Sequence, residues 1–142
     1  MTLPLRVFIG YDHVEARAYH TLCHSILTQA TVPVSINPLA LSQLGGIYTR
    51  DRDPLQSNEF SFTRFLVPYL SGYEGVSMFM DCDMMLRTDI KHLFQCDMAD
   101  KGYAVRVVKH DHKPVESTKY LGAKQTSYSC KNWSSVLLFN ND

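Results

Sequence analysis

The stretch that most constrains this chain is Val76-Ser77-Met78-Phe79-Met80, an apolar, strand-like run that delivers Asp81 and Asp83, one residue apart, where a strand should end. Side chains alternate across a strand, so residues i and i+2 share a face. Persisting strand geometry would point Asp81 and Asp83 the same way. Two like charges that close are stable only when protonated, strongly hydrogen-bonded or bridged by a cation. A divalent metal is the simplest solution, and hard oxygen ligands suit manganese or magnesium, which keep open positions for substrate phosphates. The same spacing also suits a solvated turn in which Asp83 starts a loop.

A chain of 142 residues is one domain's worth, and residues 1–142 read as a single unit without repeat, low-complexity tract or linker. Fourteen basic residues balance fourteen acidic ones, so there is no electrostatic footprint for nucleic acid or an anionic membrane. Cys23, Cys82, Cys96 and Cys130 show no Cys-x-x-Cys spacing. With no signal peptide or long apolar run, this predicts reduced thiols and a cytoplasmic location.

Leu5 to Gly10 reads as a first strand closed by glycine, central in its sheet. A tight loop, Tyr11-Asp12-His13, follows. Asp12 is a helix N-cap with Glu15 three residues on, and Val14, Ala18, Leu22 and Ile26 form an apolar stripe reaching about Gln29. Strand, short loop and helix in that order begin a βαβ unit, hence an α/β fold with a mostly parallel sheet. Ligands of such sheets bind beyond the carboxyl ends of the strands. Gly10 to His13 sit there, with a glycine permitting close approach, a stacking face on Tyr11 and hydrogen-bonding groups on Asp12 and His13. They equally suit a plain βα turn with a capping aspartate. His20 and His24, four apart, are expected on a solvated helix face.

Pro33 to Pro38 reads as a second strand, Leu39 to Leu44 as one helical turn and Ile47 to Asn58 as a surface loop. Phe62, Phe65, Leu66 and Tyr69 fall at helical spacing and predict a helix over Glu59–Leu70, packed on the sheet. Arg64 lies among these apolar residues, and a buried arginine needs an acidic or phosphate partner, for which Asp81 and Asp83 are the candidates. Asp89 caps a short helix through Phe94. Tyr103–Val108 and Trp133–Asn140 are further strands, and residues 115–131 an excursion. His110-Asp111-His112 reads as a polar loop beside the site. The chain stops at Asn140-Asn141-Asp142 directly after a core-quality strand. It is therefore expected to be the amino-terminal part of a longer one.

Four segments in order, Leu5–His13, Thr63-Arg64-Phe65-Leu66, Phe79–Asp83 with Thr88-Asp89-Ile90, and Ser134–Asn140, resemble glycosyltransferase family 8 and its uncharacterised bacterial relatives. The resemblance spans nearly the whole chain. It implies the GT-A fold, a Rossmann-like nucleotide-diphospho-sugar transferase sandwich with helices on both faces of the sheet. It also implies retaining transfer of a hexose from a nucleotide-diphosphate sugar, UDP-linked, to a carbohydrate or other hydroxyl acceptor. The nucleotide loop falls on Gly10, Tyr11, Asp12 and His13, and the family's arginine on Arg64, which serves nucleotide and donor sugar alike. Asp81 and Asp83 match the Asp-x-Asp that would hold manganese against the diphosphate. The donor-sugar segment falls on Trp133, Ser134 and Ser135, with Trp133 standing where the family has asparagine. The family's third metal ligand, a histidine, lies further along than residue 142. No residue here is identified as a nucleophile.

Two other readings fit parts of the pattern. A strand followed by Asp-x-Asp opens the haloacid-dehalogenase phosphohydrolases, whose first aspartate is a nucleophile. Their motif ends the first strand, whereas about 75 residues precede it here, and Met85 stands where they carry Thr or Val. A non-catalytic nucleotide-sugar-binding domain is the other alternative.

Overall fold

The computed structural model describes residues 3–54, 56–95, 102–110 and 131–142. A five-stranded sheet runs in the order β2-β1-β3-β5-β4. Its strands are β1 (Leu5–Tyr11), β2 (Val34–Ala40), β3 (Val76–Met80), β4 (Val105–His110) and β5 (Lys131–Asn140). Pairing is parallel between β1 and both β2 and β3, and antiparallel between β5 and both of its neighbours. Four strands therefore share one direction and β5 opposes them. The expected mostly parallel sheet is present, with β1 in its interior.

Strands covered on both faces are apolar without alternation. Val7, Phe8 and Ile9 in β1, and Met78, Phe79 and Met80 in β3, are all buried. On one face lies α1 (Ala16–Gln29), which buries Tyr19, Leu22 and Ile26 and sets Tyr19 edge-on to Tyr11 with ring centroids 5.2 Å apart. The other face carries Phe60, whose ring centroid is 6.3 Å from that of Phe79, followed by a 3-10 turn, Thr63–Leu66, and the single-turn helix α2 (Val67–Leu70).

That second layer differs from expectation. No helix spans Glu59–Leu70, and the stripe of Phe62, Phe65, Leu66 and Tyr69 is not its inner face: Phe65 and Tyr69 are exposed, while Phe60, Thr63, Arg64 and Val67 are buried. Both faces of this segment carry large apolar residues at helical spacing, so periodicity alone could not choose between them. Pro68 sits in the first turn of α2, where its missing N–H costs no hydrogen bond. In α1, Val14 and Leu27 are likewise exposed, and the helix proper begins at Ala16 after a 3-10 turn, His13–Glu15. His20 and His24 are on its solvated side.

β2 runs two residues further than predicted, through Pro38, which pairs with Ile9. An edge strand tolerates proline because one side of it needs no donor. The residues after Gly10 and Asp83 are tied to α1. Ser25 Oγ accepts a hydrogen bond from the Leu86 N–H at 3.0 Å. Asp89 accepts from the Thr31 N–H at 3.1 Å and from the Lys91 N–H at 3.0 Å, so it caps α3 (Lys91–Phe94) as expected and also anchors it to the end of α1. At the far end of the sheet, the Asn141 N–H bonds to the Gly75 carbonyl at 2.8 Å and the Gly75 N–H to Asp142 Oδ1 at 2.7 Å. The region 115–130, with Asp111 and His112, lies outside the described residues.

Candidate functional site

The carboxyl ends of β1 and β3 lie side by side because the two strands are parallel neighbours, and β5, running the other way, brings its first half to the same edge. Three segments far apart in sequence thus converge: Tyr11–Glu15, Asp81–Asp83 and Ser134–Ser135. The Asp81 N–H continues the ladder past the end of β3, donating to the Ser135 carbonyl at 2.8 Å. Between Val107 and Val108 the β4 pairing jumps from Leu137 to Trp133, leaving Ser134, Ser135 and Val136 without partners on β4. Such bulges re-aim side chains at sheet edges. Here the bulge brings Ser134 to Arg64.

Arg64 is the centre of this edge. Its side chain is 7% exposed and forms an ion pair with Asp81, Nη2 to Oδ1 at 3.1 Å. Nη1 donates to the Ser134 carbonyl at 2.7 Å and Nε to the Phe60 carbonyl at 3.1 Å, while the guanidinium lies 4.8 Å from the Phe79 ring centroid. The acidic partner expected for a buried arginine is therefore Asp81. Burial pushes the Asp81 carboxyl up, and Arg64 pulls it back down. The guanidinium stays cationic at neutral pH despite its burial.

Asp81 and Asp83 differ in setting. β3 ends at Met80, so neither lies in the strand proper; Asp81 is largely buried and Asp83 exposed. Asp81 Oδ1, although beside Arg64, accepts no well-aligned hydrogen bond, and neither does the buried Oε2 of Glu15. Burial raises the Glu15 carboxyl, and Asp83, Asp12 and Asp81 raise it further. Glu15 thus belongs to the acidic edge rather than to a capping box. Its sequence position, three residues after a capping aspartate, gave the capping reading, and only the adjacency of β1 and β3 reveals the other. Between the aspartates, burial and the surrounding carboxylates push the Cys82 thiol up to about 12.

Part of the Gly10–His13 loop is packed against the protein itself. A Cβ on Gly10 would fall inside the Phe60 ring, so the glycine admits that aromatic side chain. Asp12 caps the turn as predicted, with Oδ1 accepting from the Val14 N–H at 3.1 Å, and its Oδ2 accepts from the Glu59 N–H at 3.2 Å. His13 is exposed, 3.4 Å from Asp12 and 3.9 Å from Glu59. Asp12, His13 and Glu59 are the grouping among the described residues whose ligand atoms lie within 4.8 Å of one another. Glu59 was not anticipated here, because it was assigned to a helix start. Trp133 lies in β5, paired with Val108, and its side chain is outside the described residues.

The fold is shared with solved glycosyltransferases. The bifunctional glycosyltransferase WbbM, in its apo form, superposes with a TM-score of 0.62 at 13% identity, over 97% of this chain and 31% of that one. The apo glycosyltransferase GlyE of Streptococcus pneumoniae gives 0.60 at 18% identity, over 98% of this chain and 34% of that one. The fold is thus a GT-A-like glycosyltransferase sandwich. In sequence, the chain is 49% identical over 139 residues to Protein CDI of Arabidopsis thaliana, covering 96% of this chain and 53% of that protein. It spans about half the length of that curated relative. No protein-family model matches the sequence. Among the described residues, no helix is long and apolar enough to cross a membrane.

Proposed function

We propose that this chain carries the donor-binding part of a metal-dependent, family 8-like glycosyltransferase that transfers a hexose, with retention, from a UDP-linked sugar to a carbohydrate or other hydroxyl acceptor. The observation that carries the reading is Arg64, a buried cation fixed between Asp81 and the Ser134 carbonyl at the carboxyl edge of the sheet. A guanidinium so placed suits the diphosphate of a nucleotide sugar, since arginine matches phosphate geometry and remains charged. Ser134 and Ser135 are beside it, where the donor sugar would follow.

The residues fit a divalent ion. Asp81 is largely buried with Oδ1 held 3.1 Å from Arg64 Nη2, and Asp83, two residues on, is open to solvent. Carboxylate oxygens suit manganese or magnesium. Asp81 and Asp83 would hold the ion, and when bound it supplies charge neutralisation on the leaving diphosphate. Arg64 contributes its fixed charge to the same oxygens from the protein side. The Gly10–His13 loop contributes through Asp12 and His13, which line the approach from β1; Tyr11 is committed to Tyr19 and Gly10 to Phe60.

Calorimetric titration of UDP into the purified chain, with manganese and then with chelator, tests the reading. Binding should require manganese and disappear in Asp83→Asn. A well-folded chain that binds UDP equally with and without manganese, or not at all, refutes it.

A further inference from the structure

Away from the acidic edge, the outer side of α2 forms an open groove of about 540 Å³, within the roughly 300–1,000 Å³ range of small-molecule sites. Ile47, Phe65, Pro68, Tyr69 and Tyr73 line it, and among the described residues none of its lining side chains carries a charge. The aromatic rings are turned to solvent: Phe65 is 59% exposed, Tyr69 52% and Tyr73 61%. Tyr69 and Tyr73 stand edge to face, with centroids 6.2 Å apart and planes at 81°. Clustered exposed aromatics of this kind mark a binding surface.

The backbone carries a second, independent sign. Tyr73 has φ 55°, the only non-glycine residue in the left-handed region among those described. That conformation is unfavourable for a bulky side chain and, where it persists, points to function. The turn itself does not need a tyrosine. The Tyr73 N–H bonds to the Pro68 carbonyl and the Gly72 N–H to the Tyr69 carbonyl, each at 3.0 Å, the two bonds that close a helix with a left-handed glycine. Glycine at position 73 would make the same bonds without strain. What the tyrosine adds is its ring, set edge to face against Tyr69.

We infer that this groove binds a neutral saccharide. A lining without charge among the described residues favours a neutral ligand over a phosphate- or carboxylate-bearing one. Flat aromatic faces carry negative π density that attracts the polarised C–H edges of a sugar ring, and two phenolic hydroxyls offer the polar contacts that an apolar peptide or acyl chain would leave unused. The sugar lies flat on Tyr73, with Tyr69 and Phe65 along its length. This site is separate from the Arg64–Asp81 edge and does not depend on the donor reading.

Saturation-transfer NMR with maltotriose and cellotriose as probes tests it on the full chain. Transfer to sugar C–H protons is expected for at least one probe. Tyr73→Gly should weaken that affinity about tenfold, the loss of one stacking ring, while the melting temperature holds or rises because the strained φ is relieved. Tyr73→Phe should keep most of the binding. Asp83→Asn should leave it unchanged even if UDP binding is lost, so failure of one site is distinguishable from failure of the other. No transfer to either probe, equal transfer in Tyr73→Gly, or loss in Asp83→Asn overturns the proposal. So does concentration-dependent self-association in sedimentation that Tyr73→Gly abolishes, which would make the groove a contact between copies.

Discussion

Arg64 and Asp81 should be strongly coupled in stability, and the structure sets the size. Replacing Arg64 with methionine preserves length and apolar stem but leaves Asp81, whose side chain is 16% exposed, as an uncompensated buried carboxylate. Breaking a buried pair from one side costs about 3–5 kcal/mol. The substitution also strips donors from the Phe60 and Ser134 carbonyls. Each such loss costs about 1–3 kcal/mol when water cannot replace the donor, and Ser134 is at an edge water can reach. Arg64→Met should therefore lose about 4 kcal/mol. Asp81→Asn leaves the guanidinium its two carbonyls and should lose about 2 kcal/mol, an estimate from the same asymmetry. The double variant, with neither charge present, should lose about 4 kcal/mol, well short of the sum, giving a coupling near 2 kcal/mol. Asp83→Asn, an exposed site, should stay within about 0.5 kcal/mol of the parent. Urea denaturation of the four proteins, with unchanged m-values, measures the cycle. A coupling below about 0.5 kcal/mol would refute the argument, because the two groups would then be acting independently. The two aspartates differ because Asp81 is paired with a buried cation and Asp83 is solvated.

Two further outcomes follow from local geometry. Gly10→Ala should cost about 1–3 kcal/mol through displacement of the Phe60 ring, and adding Phe60→Leu should recover part of it in thermal denaturation. Asp89, bonded to Thr31 and Lys91, has its carboxyl held well below the usual value of 3.8. A depressed folded value means the stabilisation is complete above that usual value and is lost as pH falls through the folded one. Asp89→Asn should therefore melt lower than the parent by a constant margin from pH 7 to about 5, with the gap closing below pH 3.8; a gap that widens on acidification would contradict this.

Much of the framework was legible in one dimension. The apolar runs of β1 and β3 needed no partner to be recognised, since burial on both faces removes alternation and leaves continuous Val-Phe-Ile and Met-Phe-Met. The α1 stripe, the Asp12 cap and the need of Arg64 for an acid were equally readable, because each is dictated by spacing or by the cost of a buried charge. Aromatic residues on both sides of Glu59–Leu70 defeated the same logic. There, only competition for the sheet's surface selected Phe60 and Val67 for the inside.

The sequence by itself determined that a strand would end in two carboxylates, that a βα turn would precede it and that a buried cation would require one of those acids. Tertiary structure decided which acid, and why a glycine stands at position 10. It also decided that Glu15 joins the acidic edge and that a bulge in β5 carries Ser134 to Arg64. The physical reason is range. Propensity, capping and periodicity act over a few residues, whereas this site joins residues such as Arg64 and Ser134, 70 positions apart, whose adjacency is set by sheet order and not by any local signal.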